Sequence, residues 1–294
     1  MAAHSKSLIA AFALLVLFVC GANAVTFAQA SLTGLAPQRI ISLVPALTEM
    51  LFAIGAGGQV VGVGSYDDFP AEVKTLPRVG ALLDPDMERM LQLRPDLALV
   101  YGSQTDLQTQ LARAGVRTYN YRHAGLEGVF RTLEELGSFV GRRTEADRVA
   151  RGMRAQIDAV SARVKGRPRP RTLLVFERDP SALRGVYVSG GRGFLHDILQ
   201  AAGGTNVFAD VPRESVQPSL ETLLSRAPEV IVEVRATGLL GGGQAGVWSP
   251  LASMPAVRNG RIHFLDGQYL VVPGPRIGAA AEAFAKALHP DAFK

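Results

Sequence analysis

Apolar residues along this chain follow two rhythms. Short, nearly continuous runs, among them Ile40-Ile41-Ser42-Leu43-Val44, Val60-Val61-Gly62-Val63, Leu97-Ala98-Leu99-Val100 and Val230-Ile231-Val232, read as strands covered on both faces. Between them, apolar positions return every three or four residues, the spacing of one helix face. The first half accordingly predicts strands at Ile40 and Val60, a helix over 48–54, a helix from Met87, and a strand from Leu97 that ends at Tyr101. A helix over 104–114, a strand over 116–121 and a helix over 125–140 follow. The second half predicts strands over 172–176 and 185–188, a helix over 194–202, a helix from Leu220 and a strand from Val230. Strands that alternate with helices predict an α/β fold, not a helical bundle or a sandwich.

One stretch occurs twice. Residues 87–100, Met-Glu-Arg-Met-Leu-Gln-Leu-Arg-Pro-Asp-Leu-Ala-Leu-Val, are echoed by residues 220–232, Leu-Glu-Thr-Leu-Leu-Ser-Arg-Ala-Pro-Glu-Val-Ile-Val. Each copy is a short amphipathic helix, a Pro that ends it, an acid and a buried strand. Glu88 and Glu221 hold matching places, separated by about the length of a domain. The repeat predicts two similar lobes, each with its own core, and a ligand cleft between them. A weaker echo pairs the strand at Ile40, Pro45, the first helix and Gly55-Ala56-Gly57-Gly58 with the strand over 185–188, Ser189-Gly190-Gly191-Arg192-Gly193, the helix over 194–202 and Gly203-Gly204. Over 144–164, Val149, Met153, Ile157, Val160 and Val164 lie on one helical face. A helix of that length reaches roughly 30 Å, enough to cross from one lobe to the other as a strut. The expected organisation is a first lobe over 38–143, a connecting helix over 144–166 and a second lobe over 167–294.

Composition narrows the class. With 294 residues, 48% of them apolar, the chain can bury one large core or two modest ones. Residues 1–30 read as a secretory signal peptide: Lys6, an apolar stretch over 8–19, and small-residue exits after Ala24 or Ala30. That stretch is shorter than the roughly 20 residues that span a bilayer, so an exported, soluble chain is expected. Cys20 opens a lipid-anchored alternative, although Val19 stands where a lipoprotein signal places a small residue. Cleavage after Ala24 or Ala30 removes the one Cys, leaving neither a disulfide nor a thiolate ligand.

The net charge of +5 is scattered, with one cluster over 165–171 that reads as a solvated linker. No basic helix or aromatic-studded basic strand suits nucleic acid. No Gly-x-Ser-x-Gly elbow or His-Glu-x-x-His motif is present, so no catalytic residue is assigned. Beyond the signal, His123, His196, His263 and His289 are dispersed and no His-rich loop exists, so no resident metal site or cofactor is expected. A reading of another class, an exported two-domain hydrolase, would need His, Asp and Ser converging in the cleft.

The segments Arg39-Ile-Ile-Ser-Leu-Val-Pro-Ala-Leu-Thr-Glu, Gly62-Val-Gly-Ser-Tyr-Asp-Asp-Phe-Pro, Phe194-Leu-His-Asp-Ile-Leu-Gln-Ala-Ala-Gly-Gly and Pro273-Gly-Pro-Arg-Ile carry a family resemblance. In order and spacing they resemble helical-backbone periplasmic binding proteins, which serve ABC importers of cobalamin, haem and ferric siderophores. The cobalamin-binding members are the nearest likeness. The resemblance implies two similar three-layer α/β lobes joined by a single long backbone helix, and small closure on ligand. It implies a periplasmic monomer that binds a small molecule and docks on a permease dimer in the inner membrane. Glu88 and Glu221 match the positions that dock into permease arginine pockets.

Ligand contacts should sit where the first strands end, at Pro45 and Ala46, whose turn is expected to expose backbone N–H groups; the resemblance adds Tyr66, Tyr101, Tyr269 and its neighbour Leu270 facing the cleft. Arg276 joins them, and Gly190, in a glycine turn between strand and helix, offers backbone N–H groups to an anion. Flat aromatic faces suit a corrin or haem. Where cobalamin-binding proteins tend to carry flanking tryptophans, this chain has Leu82 and a residue near Ser215. Its one Trp, Trp248, follows the glycine-rich stretch over 241–246, where a mobile loop is expected. Haem or a ferric siderophore is the rival ligand. Tyr66 would then serve haem iron, and Arg178, Arg192 or Arg276 its propionates.

Overall fold

The computed structural model describes residues 36–235 and 245–294. The signal peptide expected over 1–30, with Cys20, and most of the glycine-rich stretch lie outside the described residues. In the first half, β1 (Ile40–Ser42), β2 (Val60–Val63), β3 (Leu97–Tyr101) and β4 (Arg117–Tyr121) form one parallel sheet in the order β2-β1-β3-β4. Helices α1 (Pro45–Ala53), α2 (Met87–Gln92), α3 (Thr105–Arg113) and α4 (Leu126–Phe139) flank it. Helix α1 starts earlier than its apolar spacing predicts, because Pro45 at its first turn has the backbone angle already set.

Helix α5 (Arg143–Val164) leads to a second sheet of β5 (Arg171–Glu177), β6 (Tyr187–Ser189), β7 (Thr205–Asn206), β8 (Ser215–Val216), β9 (Val230–Arg235) and β10 (Ile262–Asp266). Helices α6 (Phe194–Ala201), α7 (Leu220–Arg226), α8 (Pro255–Arg258) and α9 (Ile277–Leu288) belong to it. The parallel strands run β7-β5-β9-β10, the order of the first sheet. Strands β6 and β8 are an antiparallel addition.

The counterpart of β1 is therefore β5, not the run over 185–188. The weaker echo in the sequence misassigned it. A duplicated clamp makes the equivalence explicit. Arg39 donates through Nη2 to the Leu93 carbonyl at 2.6 Å, while Asp96 accepts from the Arg39 N–H at 3.0 Å and returns its own N–H to the Arg39 carbonyl. In the second half, Arg171 donates to the Arg226 carbonyl at 2.6 Å and Glu229 accepts from the Arg171 N–H at 2.9 Å, with the same return bond. The residue before each repeat Pro is left-handed: Arg94 at φ 47° and Ala227 at φ 43°.

Strand alternation builds three layers in each half. Ile40, Leu97 and Leu99 face α1 and α4, while Ile41, Ala98 and Val100 face α2 and α3. The two halves do not keep wholly separate cores as the repeat predicts. The largest apolar cluster runs from the inner face of the first sheet through α4 and α5 to α6, α9 and the second sheet.

Helix α5 makes this continuity possible. Its 22 residues are unbroken, close to the expected span, and extend about 33 Å. Ala146 and Ala150 bury against α4, and Met153, Ile157, Val160 and Val164 continue the stripe toward α6 and α9. Gly137 of α4 permits the close crossing, since a Cβ there would sit 2.3 Å from that of Ala146. Arg154 fastens the same contact, ion-paired to Glu127 at 2.6 Å and lying 3.9 Å over the Phe130 ring.

Candidate ligand-binding cleft

In each βαβ unit the strand's carboxyl end meets the start of the next helix, and ligands of open α/β sheets bind at that end. Strand β2 feeds the loop that carries Tyr66 and Phe69. Arg78 holds this loop by donating to the carbonyls of Gly64, at 2.9 Å, and Asp67. Tyr66 is left 66% exposed and Phe69 41% exposed.

The second half reaches the same loop from residues 268–276. Gln268 Nε2 donates to the Tyr66 carbonyl at 2.7 Å. Arg276 forms a two-pronged pair with Glu49 of α1, at 2.6 and 2.9 Å, and its guanidinium lies 4.0 Å over Phe69 and 5.7 Å from the Tyr269 ring. The structure thus brings Tyr269 and Arg276 beside the loop that carries Tyr66. Glu49, Phe69 and Gln268 join them unannounced, although a lone acid among Leu47, Met50 and Leu51 was a visible anomaly.

Two carboxyls, Glu49 and Asp67, are buried in this corner. Burial raises the Glu49 carboxyl above its ordinary value, and the Arg276 pair offsets only part of that. Asp67 is buried with no hydrogen-bond partner for either oxygen, and burial pushes it up to about 7 despite Thr48 and Arg78 nearby. Tyr101, at the end of β3, is raised to about 12, first by burial and then by the Asp67 charge.

A second cluster stands at the ends of β3 and β4. Tyr101 and Tyr121 meet edge-on with ring centres 6.1 Å apart, and His123 lies 6.0 Å and 5.1 Å from them. The Tyr121 hydroxyl and His123 Nδ1 are 3.4 Å apart. His123 is exposed at the rim, yet partial desolvation lowers its pKa, and the Glu214 carboxylate of the second half opposes that shift. The sequence presents His123 as one of several scattered histidines and Tyr121 as a strand end. Only the fold joins them.

Other expectations are corrected. The N–H groups of Gly190, Gly191 and Arg192 are taken by the carbonyls of Glu214, Val211 and Arg213, leaving none for an anion. A Cβ on Gly190 would strike the Arg213 carbonyl oxygen at 2.1 Å, so the glycine serves close packing. Pro45 and Ala46 form the first turn of α1 instead of an open turn, with Ala46 buried. Leu270 is wholly buried and cannot face the cleft.

Arg178 is sealed inside the second half. It pairs with Glu233 at 2.8 Å, both side chains being 1% exposed, and Trp248 donates its indole N–H to the same carboxylate at 3.1 Å. Trp248 is therefore core, not a loop residue. Arg192 is exposed, and His196 lies 3.2 Å from the Asn206 amide. Among the described residues no group of His, Cys, Asp and Glu could hold a metal ion, and no helix is long and apolar enough to cross a membrane.

Glu88 and Glu221 occupy equivalent positions at the starts of their helices. Each is the second residue of its helix, after an N-cap whose side chain accepts from the third residue: Asp86 from Arg89, and Ser219 from Thr222. Both glutamates are exposed. Each helix runs back along its sheet before the next parallel strand, which puts both acids at the cleft end of the strands.

Residues 40–269 match the periplasmic binding protein family. The chain is 30% identical to the vitamin B12-binding protein of Salmonella typhimurium over 256 residues, covering 86% of this chain and 91% of that protein. It is 28% identical to an uncharacterized ABC transporter substrate-binding lipoprotein of Bacillus subtilis, over 88% of this chain and 82% of that one. Among solved structures, the periplasmic heme-binding protein RhuT of Roseiflexus sp. RS-1 is 28% identical with a TM-score of 0.75, covering 87% and 99% of the two chains. The periplasmic vitamin B12-binding protein BtuF of Vibrio cholerae, 24% identical, shares the fold with a TM-score of 0.73 over 89% and 100%.

Proposed function

The chain belongs to the periplasmic binding protein family, and on that premise we propose that it captures a cobalamin-type chelate between its lobes and delivers it to an ABC importer in the inner membrane. Proteins of this kind are substrate-binding components that work outside the cytoplasm, and no bond is made or broken. The hydrolase reading falls with the family assignment. The ligand contacts in this proposal are Tyr66, Phe69, Tyr101 and Tyr269, with Arg276 at the junction of the lobes. The protein acts as a periplasmic monomer, and Glu88 and Glu221 dock on basic sockets of the two permease subunits.

One observation supports the ligand class. Arg178 and Arg276, two of the three arginines that haem propionates would call on, are committed to Glu233 and Glu49, while the Tyr66–Phe69 rim stays exposed. Flat apolar area beside arginines already paired to carboxylates suits a corrin whose periphery is mostly amide, more than a dianionic haem or an anionic siderophore. Haem is the second reading, favoured by His123 beside Tyr101 and Tyr121.

Absorption titration with cyanocobalamin and with hemin tests both. The account expects saturable one-to-one binding of cyanocobalamin. Hemin binding that is lost in His123→Ala would establish the second reading, and silence with both would end the tetrapyrrole proposal.

A further inference from the structure

Among the described residues seven large apolar side chains are exposed. Tyr66, Phe69, Leu82 and Leu83 belong to the first half, around the cleft. The other three, Leu91, Leu220 and Leu224, all stand on the duplicated helices α2 and α7. Leu91 and Leu224 hold the same place in the repeat, three residues after Glu88 and Glu221, and are 39% and 37% exposed.

These leucines are not spare core. The matching Met90 and Leu223 already anchor their helices at 0% exposure. Elsewhere on the outer faces the two copies have diverged: Arg89 against Thr222, Gln92 against Ser225, Arg94 against Ala227. The only outward positions that remain identical are the glutamate and the leucine one turn later. A single outward leucine needs no explanation, but a matched pair beside matched acids in a diverged repeat does.

We infer that each lobe docks through a Glu–Leu pair, the leucine of α2 or α7 entering an apolar socket beside the cation that receives its glutamate. The occupant is the importer's permease dimer. Two like patches on two like lobes, held apart by α5, fit a partner that presents the same socket twice about a twofold axis. A second copy of this chain is a poor occupant, because a twofold contact through these patches sets acid against acid. This inference rests on the docking proposed for Glu88 and Glu221.

The test measures docking of ligand-loaded protein to its own permease complex in lipid nanodiscs, with cleft affinity and thermal stability followed in parallel. Burying what remains exposed of one leucine is worth about tenfold in affinity, so Leu91→Ser and Leu224→Ser should each weaken docking about tenfold, and the double variant about a hundredfold. Cleft affinity should not move, and although losing the buried part of each leucine lowers the melting temperature, the variants should stay folded at the assay temperature. If the double leucine variant docks like the wild type while Glu88→Lys/Glu221→Lys does not, the leucine inference fails and the glutamate docking stands. If neither pair matters, both fall. Loss confined to one leucine would overturn the twofold argument, and a leucine-dependent dimer in sedimentation would replace the permease with a second copy.

Discussion

The two halves solve the problem of a buried acid in opposite ways. The second pairs its acid internally: Arg178 and Trp248 of its own fold both donate to Glu233 Oε2, and the Arg178 charge lies 2.8 Å from Oε1, which accepts no hydrogen bond. The first leaves Asp67 without a partner and satisfies Glu49 only by reaching across to Arg276. The same parallel scaffold thus carries one self-sufficient lobe and one whose polar core faces the cleft and depends on the other. Duplication fixed the frame, and divergence put the reactive electrostatics on the first half's side of the gap.

The most damaging way to break this contrast is at the sealed pair. Arg178→Met strands a buried carboxylate and should cost about 3–5 kcal/mol in urea unfolding, while Arg178→Met/Glu233→Leu should recover most of it. Asp67 sharpens the contrast through pH. Its folded value near 7 lies above the ordinary 3.8, so the native state holds a proton that the unfolded chain releases. Its stabilising contribution is full below about pH 4 and lost as pH rises through about 7, a change on the order of 2–4 kcal/mol. Asp67→Asn should flatten that slope in urea midpoints measured between these limits.

Arg276→Met comes next, because Arg276 is partly exposed. Losing the cross-lobe partner of Glu49 should cost about 1–3 kcal/mol and speed hydrogen exchange in the 64–70 loop and 268–276. The smallest effect concerns what the lobes share. Arg94→Gly and Ala227→Gly relieve left-handed strain at equivalent positions, and each should raise stability by at most about 1 kcal/mol, by similar amounts. Unequal responses in thermal melts would show that the two clamps are not energetically equivalent.

Much of the frame was readable because it rests on local pattern. Nearly continuous apolar runs, the repeated helix-Pro-acid-strand unit and the stripe on α5 each state their environment within a few residues. The β6–β8 addition was not readable, because Val186–Val188 looks like any strand and only its antiparallel partners reveal that it lies outside the repeat. The cleft was half legible. Tyr66, Tyr269 and Arg276 came from resemblance. Glu49 beside Arg276, or His123 beside Tyr101, depends on where distant loops pack, and spacing along the chain does not encode that. Arg178 and Trp248 failed for the same reason, since a charged residue and a Trp next to glycines look exposed until the fold buries them together.

The central claim is that one ligand is held by both lobes at once. Calorimetric titration of cyanocobalamin into Tyr66→Ala, from the first lobe, and Tyr269→Ala, from the second, tests it most directly. The account predicts one binding event weakened by both variants, with stoichiometry unchanged. If one variant binds as tightly as the wild-type protein, the ligand sits on a single lobe and the account is contradicted.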